Sequence, residues 1–378
     1  MGVIVALRDP ALRNAWLKRA AREGLDIVPF DGLPRLYHVR ERRVADFPLS
    51  DYPEFMSVDD EEDEVRGTQA LTFSDNFLSG DSWSLARHTR RNRPWVNAGL
   101  RLPFSTSFDC IRDGTGVDIY SIDTGVATHD DLTGRVSLVY GVADDHGHGT
   151  AVMSVAAGGT VGFARGALVW SCKALTSSNT GTVSSTVNAI SAAVSHYNGR
   201  VATNRPAVMN LSLTMNGSVS AALTDAMTAG IVVVAAAGND GKSLDTEIDL
   251  WPAETPGAIC VGGTMPNDGP ASYTNFGTRV DVLAGAFRVM AAKYTGGFES
   301  MNGTSFAAPA VTGAIACILQ DYTRLTSLQM TQRVKAFIRD NGTWGRYKPS
   351  LAHTPMNAPI LFLDPTNVYP YIEGLPRR

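Results

Sequence analysis

The chain has 378 residues, 44% of them hydrophobic and 19% charged, which excludes a disordered or collagen-like polymer and predicts a globular protein of about two domains. A net charge of −4 leaves no basic footprint, so nucleic acid is not an expected partner. The four cysteines, Cys110, Cys172, Cys260 and Cys317, are too few to staple so long a chain, and the last three lie in apolar runs that predict buried free thiols. Residues 1–65 have their own character. A strand over 3–7, a basic helix over 11–22 and strands over 25–30, 35–40 and 55–58 predict a small α+β domain. It closes on Asp59-Asp60-Glu61-Glu62-Asp63-Glu64, expected as a solvated tail. Residues 66–82, with Gly67, Ser74, Asn76 and Gly80, read as an exposed linker. The basic cluster that follows, Arg87, His88, Arg90, Arg91 and Arg93, is expected as charged surface.

From about residue 115 the pattern changes. Apolar runs over 117–122, 167–174, 207–213, 231–237 and 258–262 lack polar alternation, as strands buried on both faces of a parallel sheet do. Helical patterns over 149–157, 182–197, 219–229 and 305–320 intervene. Residues 83–344 are therefore expected to form a doubly wound α/β domain with a mostly parallel sheet, its site beyond the carboxyl ends of the strands. Residues 345–378, rich in proline and aromatics, are expected as an irregular arm on the surface. The opening apolar run breaks at Arg8, too soon for a signal-peptide core, and no run approaches the ~20 apolar residues of a membrane-spanning helix. The expected location is the cytoplasm, or the interior of a host cell or virus particle, with no membrane partner and a monomeric state.

Three motifs stand where this architecture puts a site. Ser121-Ile122-Asp123-Thr124-Gly125 sets an acid at the end of a buried strand. Asp145-His146-Gly147-His148-Gly149-Thr150 and Asn302-Gly303-Thr304-Ser305 each open a small-residue helix. A serine hydroxyl is a poor nucleophile until a histidine takes its proton, and a carboxylate holds that imidazole in the right tautomer. Asp123, His148 and Ser305 can supply these roles, with the helix N-terminus favouring a developing oxyanion. His146 reads as a neighbour of the site rather than its base. Two other readings stay open here. Asp-Thr-Gly also marks aspartic proteases, but these need a second carboxylate and no second such motif occurs. Asp144, Asp145, His146 and His148 could form a metal cluster for hydrolysis, although two histidines one glycine apart make a poor chelating frame.

The three blocks in this order resemble the subtilisin-type serine proteases, or subtilases, nearest the proteinase K branch, over roughly residues 83–320. Val208-Met209-Asn210-Leu211-Ser212-Leu213, Val234-Ala235-Ala236-Ala237-Gly238-Asn239-Asp240 and Tyr273-Thr274-Asn275-Phe276-Gly277 extend the match, as does Ser82-Trp83-Ser84-Leu85-Ala86-Arg87, similar to the start of mature enzymes of that branch. The resemblance implies a serine endopeptidase working through an acyl-enzyme, with Asn239 as side-chain oxyanion donor. It implies Ser212, Leu213 and Thr214 as the edge that pairs with extended polypeptide substrate, and Ala236, Ala237 and Gly238 as pocket lining. No cofactor is required for the chemistry. A structural calcium on Asp281 and the carbonyls of Pro256 and Ala258 is implied by the same resemblance. The strand-helix-strand pattern of residues 1–65 resembles the inhibitory propeptide of subtilases, which would leave its tail in the cleft as the chain's own partner; an accessory domain is the alternative. Self-processing would then cut once between about Glu64 and Trp83 and leave a start near Ser82. The departures are Ala151 and Ala310 where the family has histidine, Phe306 for methionine, and Thr214-Met215, where the family glycine is replaced and a side chain is expected to narrow the cleft. These departures support an alternative, a catalytically degenerate subtilase that grips a peptide without cutting it.

Overall fold

The computed structural model describes residues 2–30, 33–40, 47, 55–60, 64–67, 83–88, 112–247, 249–266, 268–343, 358–363 and 371–378, with 55–60, 64–67 and 86 described by backbone alone. Strand β1 (Gly2–Leu7) runs through a four-stranded antiparallel sheet ordered β2-β3-β1-β4, where β2 is Ile27–Pro29, β3 Leu36–Arg40 and β4 Phe55–Asp60. Its apolar residues are uninterrupted because both of its faces are covered. Val3, Val5 and Leu7 pack with Trp16 and Ala20 of helix α1 (Arg13–Glu23). Ile4 and Ala6 point the other way and join Leu33 and Leu36 in the core of the second domain. The acidic stretch is not simply a tail: β4 extends to Asp60, and Glu64 opens a further strand, β5 (Glu64–Gly67), that leaves this sheet.

After α2 (Trp83–His88) comes a seven-stranded parallel sheet ordered β14-β13-β12-β10-β6-β8-β7. Its strands are β6 (Asp118–Asp123), β7 (Val136–Tyr140), β8 (Leu168–Lys173), β10 (Ala207–Leu211), β12 (Ile231–Ala236), β13 (Ile259–Thr264) and β14 (Val282–Gly285). Short strands β9 (Thr180–Thr182) and β11 (Leu213–Met215) lie outside it. The chain enters at β6, adds β7 and β8 on one side, then returns to build outward from β10 on the other. A crevice therefore opens between the carboxyl ends of β6 and β10. Alternate residues feed two cores: Ile119, Val208 and Val232 face helices α3 (His148–Ala157) and α6 (Thr304–Leu319), while Tyr120, Met209 and Val233 face α4 (Val183–Gly199) and α5 (Ser220–Thr228). All 16 residues of α6 are buried, which is why it is apolar all round. Strands β15 (Val289–Ala292) and β16 (Phe298–Met301) form a hairpin, and α7 (Leu328–Asn341), unanticipated from the sequence, packs beside α5 and β12.

Two expectations are corrected here. The described part of the C-terminal stretch is woven in rather than laid on the surface: Leu283 N–H donates to Pro359 O and Leu361 N–H to Leu283 O, both at 2.8 Å, so residues 358–363 cover the β14 edge. The described end of the basic cluster is buried. Arg87 grips Asp268 bidentately, at 2.6 and 3.2 Å, and His88 bridges Leu361 O and Gly285 N–H at 3.0 Å each. Arg90, Arg91 and Arg93 lie outside the described residues. Cys172, Cys260 and Cys317 are buried free thiols, as expected; Cys110 lies outside the described residues.

Candidate active site

Asp123 ends β6 and His148 opens α3, and the Asp123 Oδ1 to His148 Nδ1 distance is 2.7 Å. Thr124 N–H donates to the same oxygen at 2.7 Å. Asp123 Oδ2 is buried with no hydrogen-bond partner among the described residues. The two elements meet this closely because Gly149 has no side chain; a Cβ there would stand 2.1 Å from Gly125 O and 3.1 Å from Asp123.

Asp144 holds the loop that delivers His148. Its Oδ1 accepts from His146 N–H, Gly147 N–H and the Thr124 hydroxyl, and its Oδ2 from the Thr150 N–H and hydroxyl, all within 2.6–3.0 Å. Burial works against its charge, but these hydrogen bonds, led by Gly147, outweigh it and hold the carboxyl below the usual range. Asp144 is thus committed to the loop, and no group of metal-ligating side chains occurs among the described residues. A run of acid, histidine and glycine is the local signal that could have marked it as a loop organiser. His146 lines a cavity with His148, Asn179, Tyr294 and Met301. Burial, then the nearby His148, lowers its pKa.

Ser305 is the second residue of α6, so its N–H belongs to the first-turn donors that have no acceptor within the helix. Gly303, at φ 135°, turns the chain into that helix. Pro309 stands four residues beyond Ser305 and has no N–H to give its carbonyl. The Ser212 hydroxyl supplies the missing donor, at 2.9 Å from Ser305 O. Thr304 N–H and hydroxyl both donate to Asn239 Oδ1 at 2.9 Å, which fixes the amide and turns its Nδ2 end away from Thr304. Gly238 N–H donates to Thr304 Oγ1 at 3.2 Å, while Ala236 and Ala237 are fully buried behind it. Asp123, His148, Asn239, Ser305 and the Ser212 edge therefore surround one crevice.

Strand β5 lies antiparallel between β11 and β9 in that crevice. Gly67 pairs with Leu213, Arg66 with Thr214 and Val65 with Met215; Val65 and Arg66 pair also with Gly181 and Thr180. The strand runs toward Ser212 and hence toward Ser305. Met215 is 3% exposed and belongs to the core with Val219, so it does not narrow the cleft as expected. Phe306 is buried against His148, ring centroids 6.2 Å apart.

Asp281, Pro256 and Ala258, by contrast, lie just before β14 and β13 at the opposite end of the sheet. There Lys335 Nζ of α7 lies 2.8 Å from Asp281 Oδ2 and 2.6 Å from Ala258 O.

The model of the subtilase family matches residues 114–348. The chain belongs to the subtilase family. It is 32% identical over 289 residues to an extracellular serine proteinase of Thermus sp. (strain Rt41A), covering 72% of this chain and 66% of that protein. It is 35% identical over 248 residues to the subtilisin-like serine protease Pen ch 13 of Penicillium rubens, covering 62% and 61%. A solved structure of a cold adapted subtilisin-like serine proteinase superposes with a TM-score of 0.63 at 28% identity, over 75% of this chain and 99% of that one. The chain thus spans 66% and 61% of the length of these two curated relatives. The doubly wound α/β fold expected from the sequence is that of this subtilase neighbour. The expected cytoplasmic location is overturned by the extracellular Thermus relative. No helix among the described residues is long and apolar enough to cross a membrane.

Proposed function

We propose that this subtilase is a serine endopeptidase that hydrolyses extended polypeptides through an acyl-enzyme and processes its own N-terminal segment. The observation that carries the reading is the buried Asp123–His148 pair in the same crevice where β5 lies as an extended chain directed at Ser305. Ser305 Oγ attacks the scissile carbonyl carbon as its proton passes to His148, and Asp123 stabilises the imidazolium. The oxyanion is held by Asn239 Nδ2 and Ser305 N–H. His148 then protonates the leaving amine as the C–N bond breaks; the same histidine next deprotonates a water that attacks the acyl carbon and returns that proton to Ser305 Oγ as the ester bond breaks. Substrate binds by β-augmentation, adding a strand between β11 and β9 as β5 does.

The direction of β5 also bears on processing. Ser212, the residue before β11, is bonded to Ser305, so the cut is expected one or two residues beyond Gly67, at Thr68–Gln69 or Gln69–Ala70, rather than next to Ser82. Intact mass and N-terminal sequencing of the purified protein test this. The chain should begin near Gln69, and Ser305→Ala should remain full length and lose labelling by a fluorophosphonate. Strand β5 equally suits a second reading, a degenerate subtilase whose cleft is permanently filled. An intact, unlabelled wild-type chain would establish that one instead.

A further inference from the structure

A carboxylate and a backbone carbonyl converging at one point are the ligands a hard divalent cation takes, at 2.3–2.6 Å from each oxygen. Asp281 and Ala258 converge in this way at the amino-terminal edge of the sheet, on residues that lie just before β14 and β13. In this chain the point is already filled. Lys335, from the middle of α7, places Nζ 2.8 Å from Asp281 Oδ2 and 2.6 Å from Ala258 O. Asp281 Oδ2 also accepts Cys260 N–H at 2.9 Å, which aims the carboxylate along the strand toward the ammonium. The Asp281 side chain is 5% exposed and that of Lys335 25%, so the pair is well shielded from water on the carboxylate side. A metal ion at these oxygens would have to displace the ammonium, against both its volume and its charge. The residues present therefore do not fit a calcium ion.

We propose that Lys335 is a built-in cation: its ammonium takes the place of a structural calcium at Asp281 and Ala258, and fastens α7 to the ends of β13 and β14 without metal. A cation carried on the chain cannot be removed by chelation, so this fastening is independent of the calcium concentration around the protein. The proposal does not rest on the endopeptidase reading, and its test needs no activity.

The test uses the full-length chain in the Ser305→Ala form, which removes self-cleavage as a variable. Thermal unfolding is followed in excess chelator and in millimolar calcium. The parent should show no calcium-dependent shift of its midpoint that Asp281→Asn abolishes. Lys335→Ser opens the point, so its midpoint should fall in chelator by roughly 3–8 °C and rise again with calcium. That rise should vanish in Lys335→Ser combined with Asp281→Asn, while Lys335→Arg should stay insensitive to calcium. Calcium titration calorimetry at a temperature where all forms are folded gives a second readout, with a saturable heat in Lys335→Ser that neither the parent nor the combination with Asp281→Asn shows at this site. A calcium shift of the parent that Asp281→Asn removes would overturn the proposal, as would a Lys335→Ser chain that neither responds to calcium nor binds it. A shift of the parent that survives Asp281→Asn arises elsewhere and leaves the role of the lysine standing.

Discussion

Ser212 and Asp144 show how much of this site lies in residues that position the reacting groups. The Ser212 hydroxyl donates to the buried Ser305 carbonyl, which Pro309 cannot serve. Ser212→Ala is expected to lower unfolding free energy by about 1–3 kcal/mol, read by denaturant titration in the Ser305→Ala chain, with Ser212→Thr recovering part of it. Asp144→Asn replaces one of two acceptor oxygens with an amide donor, which then faces either the Thr150 N–H and hydroxyl or the His146, Gly147 and Thr124 donors. It should cost roughly 2 kcal/mol or more and reduce peptide hydrolysis through misplacement of His148. The pH dependence follows from the depressed pKa of Asp144 in the fold. Its stabilisation is fully present above the ordinary carboxylate pKa of about 4 and is lost as pH falls through the lower folded value. Unfolding measured from neutral to strongly acid pH should therefore show a steeper acid loss in the parent than in Asp144→Asn; parallel curves would remove Asp144 as the titrating group.

At the scale of elements, α2 is the piece that joins the C-terminal stretch to the sheet, and His88 is its pin. Burial, then Arg87, pushes the His88 pKa down to about 3, against the opposing bond to Leu361 O. The neutral ring donates to Leu361 O and accepts Gly285 N–H, so protonation breaks the second contact. The unfolded chain takes up this proton near pH 6.5, so stability is greatest above that and falls with pH until the folded value is reached. One proton corresponds to about 1.4 kcal/mol per pH unit over that window. His88→Phe should remove one proton from the unfolding slope between about pH 6 and 4, besides destabilising the fold; an unchanged slope would show that His88 is not the group. None of this was legible in the basic cluster, because burial of Arg87 and His88 is decided by Asp268, Gly285 and Leu361, far along the chain. The runs at β6, β10 and β12 were legible because strands covered on both faces must be apolar throughout. β9, β11 and β5 have no such mark, being short, partly polar and defined only by whom they pair with. The helix α7 did carry a signal, with Ser327 capping Met330 N–H and Thr331, Val334, Phe337 and Ile338 on one buried face. Asp123, His148, Ser305 and Asn239 stood out because each sits in a short motif, whereas Ser212's duty to Ser305 depends on a proline in another element.

For the molecule as a whole, what matters is how the N-terminal domain is held on the subtilase domain. Ile4, Ala6, Leu33 and Leu36 are buried in the same core as residues of α4 and α5. Arg35 Nε pairs with Asp225 Oδ1 of α5 at 2.6 Å, side chains 9% and 6% exposed, and Nη2 reaches Ala221 O at 3.3 Å. Buried pairs and apolar contacts are screened little by salt. The cut N-terminal fragment should therefore co-elute with the subtilase domain at high ionic strength. Burial raises the Asp225 carboxyl above its usual range despite the opposing Arg35. Arg35→Met keeps the apolar stem but leaves Asp225 buried without its partner, a loss of about 3–5 kcal/mol that weakens docking by roughly 10²–10⁴-fold. Size-exclusion chromatography after processing should show the fragment of Arg35→Met free and that of the parent bound. Release of the parent fragment by salt alone would mean that exposed charges, not the Arg35–Asp225 pair and the apolar face of β1, hold the domains together.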